Sequence, residues 1–215
     1  MTGQSTEPRT DQSLADRLDR VESQLAIAQL PARYALAIDS RDLHTLVALF
    51  APDVRVGGAG DGVGREALER FFTANLSHFY RSMHLISGHV VHFDDADHAH
   101  GSVHCRAEHE DGGKWGIMVM NYKDDYVRVD GEWLFARRRL QPLYSCDITE
   151  RPSGPDFNRG WRDGRPAGED TTDWPARLPG EYETFGAFWS QFDPDHVAGL
   201  TVLPVDSGPS GPSPR

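Results

Sequence analysis

Residues 32–54 read ARYALAIDSRDLHTLVALFAPDV, and their pattern decides how the rest of the chain is read. Leu36, Leu43, Leu46, Val47 and Phe50 recur at helical spacing, so Asp39 sits among apolar neighbours on a helix that faces a core. A carboxylate in such a place is partly dry and needs a partner to stay charged. The candidate partner is His84, in the stretch RSMHLISGHVVHF. A carboxylate that orients an imidazole makes a general base that needs neither metal nor cofactor. Tyr34, five residues before Asp39, lies about 140° away around the helix axis, close enough for both to border one cavity.

Working outward, Leu14, Leu18, Val21 and Leu25 follow a helical repeat with charged residues between them, which predicts an amphipathic first helix that Pro31 kinks or restarts. Ser40 and Asp42 are placed to cap a second helix, Leu43 to Phe50, which Pro52 helps to end. Val54 to Val56 reads as a short strand. The glycines of GGAGDGVG (57–64) do not have the spacing of a dinucleotide-binding fingerprint and read as a turn. Arg65 to Tyr80 is a third helix, with Leu68, Phe71, Phe72, Leu76 and Phe79 apolar. Four segments rich in Val, Ile, Tyr, Phe and Trp follow: Met83 to Asp94, Ala99 to Glu110, Lys114 to Asp130 and Glu132 to Leu143. The DDAD, EDGG and VDGE turns between them carry the Asp and Gly expected of hairpins. Three helices followed by an antiparallel meander is an α+β pattern, one curved sheet wrapped around helices.

The first twelve residues read as disordered and residues 13–148 as one domain. Eleven of the fourteen prolines lie from Pro142 onward. That shift marks 149–205 as an extension, in which Glu181 to Phe192 reads as an aromatic-rich helix and Trp161, Trp174, Tyr182, Phe185, Phe188 and Trp189 suit a segment that folds back over the domain as a lid. Residues 206–215 read as a disordered tail.

A formal net charge of −11 argues against nucleic acid and anionic lipid surfaces as partners. No apolar run approaches the roughly 18 residues of a membrane span, and MTGQSTEPRTDQS lacks the apolar centre of a secretory signal, so the expected location is the cytoplasm. Cys105 and Cys146 match no zinc or redox spacing and are read as reduced packing residues.

Three stretches together, RYALAIDSRDLHTLVALFAPDV, the MHLISGH strand and YVRVDGEWLFARRRL, resemble the SnoaL-like branch of the NTF2-like superfamily, with its cone-shaped α+β fold. The resemblance spans roughly Leu14 to Tyr144. Within that branch the chain is similar to scytalone dehydratase, bile acid 7α-dehydratase and the lindane dehydrochlorinase, cofactor-independent lyases that use a His and Asp pair. By that resemblance Asp39 and His84 are the pair, Tyr34 matches a tyrosine important in the bile acid enzyme, and His109 matches a second histidine of the fungal dehydratase. Two tyrosines that hold the departing water in the fungal enzyme are replaced here by Ile38 and Gly58, so its substrate does not transfer.

Seven histidines fall between His84 and His109, which raises metal binding. Strict alternation along a strand would put His84, His89 and His92 on different faces, and no metal is expected on that ground. Alternation after Gly101 groups Val103, Cys105, Ala107 and His109 on the cone side and puts His104 outside. It also groups Arg138 with Leu134, Ala136 and Leu140, making Arg138 the candidate inward charge for substrate binding. Met118, Met120 and Tyr122 share a face of a long strand, read as the outer sheet face buried against another subunit of a homodimer or homotrimer. The expected function is a dehydratase acting on a small cyclic or polycyclic hydroxy-carbonyl compound. A cyclase or isomerase using the same base, and a non-catalytic ligand-binding module, are the alternatives.

Overall fold

The computed structural model describes residues 13–56, 62–111, 114–149, 190–191 and 193–195. The expectations for the N-terminus, for most of the glycine turn including Gly58, for nearly all of the extension and for the C-terminal tail lie outside these residues. Among the described residues, helices α1 (Leu14–Asp39), α2 (Leu43–Ala48) and α3 (Arg65–Leu76) precede strands β1 (Ser82–Phe93), β2 (His98–Asp111), β3 (Lys114–Val129) and β4 (Glu132–Asp147). The strands form one antiparallel sheet in the order β1-β2-β3-β4. Phe50 forms a parallel bridge to Phe135, with Ala51 donating to the Phe135 carbonyl (2.9 Å) and Phe135 to that of Leu49 (2.9 Å), which clasps the α2 end to the sheet. The α+β reading holds.

Helices α1 and α2 start where the sequence provides a side-chain cap, whereas α3 follows Gly64, which offers none. Ser13 and Asp16 form a capping box at α1, and the Asp42 side chain accepts from Thr45 N–H (3.0 Å) at α2. Helix α1 runs unbroken through Pro31, which is buried in it. α3 ends earlier than the apolar repeat suggests: Tyr80 N–H leaves the helix pattern and donates to Glu110 of β2 (3.0 Å), so the chain is already joining the sheet.

The core lies between the helices and the concave sheet face, and includes Ile27, Leu30, Tyr34, Leu46, Phe50, Phe72, Val103, Cys105, Met118, Met120, Tyr122, Tyr126 and Phe135. Two expectations are corrected here. Met118, Met120 and Tyr122 are buried in this chain's own core, not on the outer face, because β3 turns that file of side chains toward α1. They carry no argument for a subunit contact. On α1 the buried side is Ser23, Ile27, Leu30, Tyr34 and Ile38, whereas Leu14, Leu18, Val21 and Leu25 are exposed. The helix carries two apolar stripes, and the sheet takes the other one. Cys105 and Cys146 are both buried and neither is in a disulfide.

Three register shifts interrupt the strict alternation, one of them between Val119 and Met120 in the β3/β4 pair, where Leu143 is the extra residue. In β1 the register shifts between Ser87 and His89, at Gly88 with φ +26°. In the β3/β4 pair it shifts between Asp125 and Tyr126, so that Ala136 is the extra residue and Phe135 pairs with Tyr126 while Arg138 pairs with Asp124.

Candidate active site

The C-terminal turn of α1 brings Asp39 to the start of β1. Arg41 adopts a left-handed backbone (φ +62°) that closes the helix, and its guanidinium donates to the Ile38 carbonyl (2.8 Å), Ser82 Oγ (2.7 Å) and the Phe79 carbonyl (3.1 Å). One arginine thus ties the helix end to the strand that carries the histidine. Asp39 Oδ1 lies 2.7 Å from His84 Nδ1 and accepts from Ser82 Oγ (3.2 Å), while Oδ2 accepts from the His84 backbone N–H (2.7 Å). With a carboxylate as its partner Nδ1 carries a proton, leaving Nε2 as the ring's free lone pair in the neutral tautomer. The His84 side chain is only 6% exposed and that of Asp39 is 24% exposed. Partial burial pushes the Asp39 carboxyl up, but the hydrogen bonds from the His84 ring and backbone outweigh it and hold it below its ordinary value.

Around this pair the structure gathers the other sequence candidates. The His109 ring stands edge-on 5.7 Å from the His84 ring and 4.4 Å from Phe79, and His109 is buried, as the alternation along β2 predicts. His104 is on the exposed side of that strand. The Tyr34 ring is perpendicular to that of His84 at 6.2 Å and packs edge-on against Phe50, Phe72, Tyr122 and Phe135. Burial pushes the Tyr34 hydroxyl up to about 12, with the nearby Arg138 charge pulling the other way. It therefore stays a proton donor at any physiological pH.

Arg138 does face inward. Its side chain, 6% exposed, donates from Nε and Nη2 to Asp124 (2.8 and 2.7 Å), and its Cζ lies 4.1–4.4 Å from the ring centres of Tyr122, Phe135 and Tyr34. Burial alone would lower its pKa, yet Asp124 raises it, so the guanidinium is permanently charged. The third nitrogen, Nη1, is buried without a hydrogen-bond partner among the described residues. The bulge at Ala136 makes Phe135, not Leu134 or Ala136 as strict alternation expects, the inward neighbour of Arg138.

The sequence reading missed four contributors. Ser82 and Arg41 orient Asp39, and nothing in their local pattern signals it. Asp124 and His89 extend the Arg138 cluster: Tyr126 OH donates to Asp124 Oδ2 (3.0 Å) and His89 Nε2 lies 2.9 Å from Tyr126 O. Because the single Tyr126 proton goes to a carboxylate, His89 Nε2 must donate, so all bonds in this chain point toward Asp124. The premise that His84 and His89 face apart fails at the Gly88 bulge, which turns both inward; His92 stays outside, stacked on His100 at 5.3 Å. Among the described residues no three His, Cys, Asp or Glu side chains are grouped to hold a metal ion. Nor is any described helix long and apolar enough to cross a membrane.

A curved antiparallel sheet packed on three helices, with an Asp–His pair where α1 meets β1 and a buried arginine facing inward from β4, defines an α+β protein of the NTF2-like type. The SnoaL-like domain model matches residues 19–139, and the chain belongs to that family. A crystal structure of a provisionally assigned scytalone dehydratase from Novosphingobium aromaticivorans is similar at 26% identity and TM-score 0.55, over 65% of this chain and 96% of that one. A function-unknown protein from Mycobacterium tuberculosis is 26% identical with TM-score 0.52, over 62% and 78%. A hexachlorocyclohexane dehydrochlorinase from Novosphingobium barchaimii shares the fold at 22% identity and TM-score 0.56, over 65% and 99%. No curated protein matches the chain in sequence.

Proposed function

We propose that the chain is a cofactor-independent lyase, a dehydratase of a small cyclic or polycyclic hydroxy-carbonyl compound, with Asp39 and His84 as its base. The observation that carries the reading is the double hold of Asp39 on His84, through ring Nδ1 and backbone N–H, which leaves Nε2 as the proton acceptor. Similarity to a protein provisionally assigned as scytalone dehydratase supports the reaction class. His84 Nε2 takes the proton next to the substrate carbonyl, and the electrons of that C–H bond form the enolate. Tyr34, kept protonated by burial, donates to the enolate oxygen. As the enolate collapses to the double bond the carbon–oxygen bond breaks, and His109 gives a proton to the departing hydroxyl, which leaves as water. Arg138, clamped by Asp124 and with Nη1 still available, binds a substrate oxygen.

Incubation with a panel of cyclic β-hydroxy ketones, followed by mass spectrometry, tests this. The expected product lacks the mass of one water, and His84→Ala lowers turnover by about a hundredfold to ten-thousandfold with the fold intact. A product of unchanged mass would mean isomerisation or cyclisation by the same base, and unchanged function in His84→Ala would mean a non-catalytic binding module.

A further inference from the structure

The exposed stripe of α1 has a use that the site does not explain. Leu14, Leu18, Val21 and Leu25 are 78%, 54%, 54% and 61% exposed, and their 4-3-4 spacing is that of alternating d and a positions in a coiled coil. The next two seam positions are Ala28 and Ala32, also exposed. The opposite side of the same helix is committed to this chain's own sheet. Ser23, Ile27 and Leu30 are buried there, Asp19 pairs with Arg128 (2.7 Å), and the Arg20 guanidinium stacks 4.0 Å from the Phe93 ring centre. The seam is therefore presented outward on a helix that is already fixed.

We infer that this seam is a self-association surface, on which two copies of the chain pair through α1 as a parallel two-stranded coil. The occupant is identified by charge. With Leu18 and Leu25 at a and Leu14 and Val21 at d, Arg17 falls at g and Glu22 at e, five residues on. In a parallel pair g of one helix meets e of the other at that separation, so Arg17 of each copy faces Glu22 of its mate on both sides of the seam. An antiparallel pair sets g against g and e against e, and with Leu18 packed on Val21 of the mate it would leave Arg17 facing Gln24 and Glu22 facing Ala15, so that neither charge meets an opposite one. Both side chains are exposed, and neither is in an ion pair among the described residues. A seam this short is marginal for free peptides, whose helices must form as they pair. Here the helix is held by its own sheet, so most of that ordering cost is already met by folding. This surface lies on the helix layer, away from the β3 file of Met118, Met120 and Tyr122.

Sedimentation velocity of the full chain at micromolar concentration tests the inference. A dimer mass is expected, falling to a monomer in Leu18→Glu and in Leu25→Glu, with unchanged circular dichroism. Arg17→Glu and Glu22→Arg should each weaken the dimer at least several-fold, and the double swap should restore it. Mild oxidation of Leu25→Cys should trap a covalent dimer, since parallel register brings position 25 against its equivalent while Cys105 and Cys146 are buried. A monomeric wild type, as when another part of the same chain covers the stripe, would overturn the inference. So would a dimer indifferent to Leu18→Glu and Leu25→Glu, or a charge swap that does not restore association.

Discussion

Two inward-facing aspartates in this fold have opposite company. Asp39 holds an imidazole where the end of α1 meets the start of β1, and its side chain is a quarter exposed. Asp124 holds a guanidinium, is wholly buried and accepts from Tyr126 OH, while the guanidinium it holds lies against the rings of Tyr34, Tyr122 and Phe135. An imidazole can exchange a proton whereas a guanidinium keeps its charge, which sets the first pair apart from the second. The second is a fixed charge. On the proposed lyase reading this contrast divides the labour of the site, with proton transfer at the Asp39–His84 pair and substrate orientation at the buried Arg138.

The largest effect expected from disturbing this division is on stability at the buried pair. Asp124→Ala strands a buried guanidinium and should cost about 3–5 kcal/mol, read as a lowered denaturant midpoint. Replacing both partners by apolar residues of similar size, Asp124→Leu with Arg138→Met, should cost much less than either change alone, since no unpaired charge remains. Equal losses in single and double variants would mean that the pair is not the unit described.

Next is the packing that brings Tyr126 to Asp124. A methyl group at Gly101 would lie 2.6 Å from the Val90 carbonyl and 3.2 Å from the Tyr126 ring, so Gly101→Ala should destabilise by about 1–3 kcal/mol. Smaller still, Tyr126→Phe removes the hydrogen bond to Asp124 and the one from His89, for a net loss of about 0.5–1.5 kcal/mol, as the carboxylate keeps its arginine. A Tyr126→Phe variant more damaging than Gly101→Ala would contradict this ranking.

The gentlest probe is pH. Burial holds the His89 pKa below its ordinary 6.5, so the folded state binds fewer protons than the unfolded chain, and this contribution to stability is lost as pH falls below about 6.5. The groups facing it are Tyr126, Asp124 and Arg138. His89→Gln should flatten that part of the stability curve. Asp39, held below its ordinary 3.8, stabilises the fold above that value and ceases to do so as pH falls through its folded pKa, so Asp39→Asn should flatten the curve only below about pH 4. Urea unfolding across pH separates the two windows, and a single shared window would erase the contrast between the clusters.

How far the sequence revealed this arrangement depended on where the strands are regular. Alternation along β2 assigned His109 inward and His104 outward because that strand has no bulge between them. In β1 the same rule failed at Gly88, and with it the inward position of His89 was lost; a glycine inside a strand is the available signal. Arg138 was found by a count that ignores the bulge at Ala136 and still gives the right side. For β3, alternation groups Met118, Met120 and Tyr122 but does not say which face they take, and only the burial of the same file's Asp124 against Arg138 resolves it. On α1 two apolar stripes share one helix, and periodicity alone selects the exposed one. Asp39 and His84 were legible because an acid in an apolar run needs a partner. The Arg41 tether was not, since it depends on a helix end meeting a strand 41 residues later.

The central claim is that Asp39 and His84 act as one base, and a double-mutant cycle in turnover tests it most directly. His84→Ala and Asp39→Asn should each lower kcat by about a hundredfold to ten-thousandfold, and the double variant should fall no more than about tenfold below the worse single, because each residue acts through the other. Losses that multiply in the double variant, or an Asp39→Asn enzyme with undiminished kcat, would contradict it.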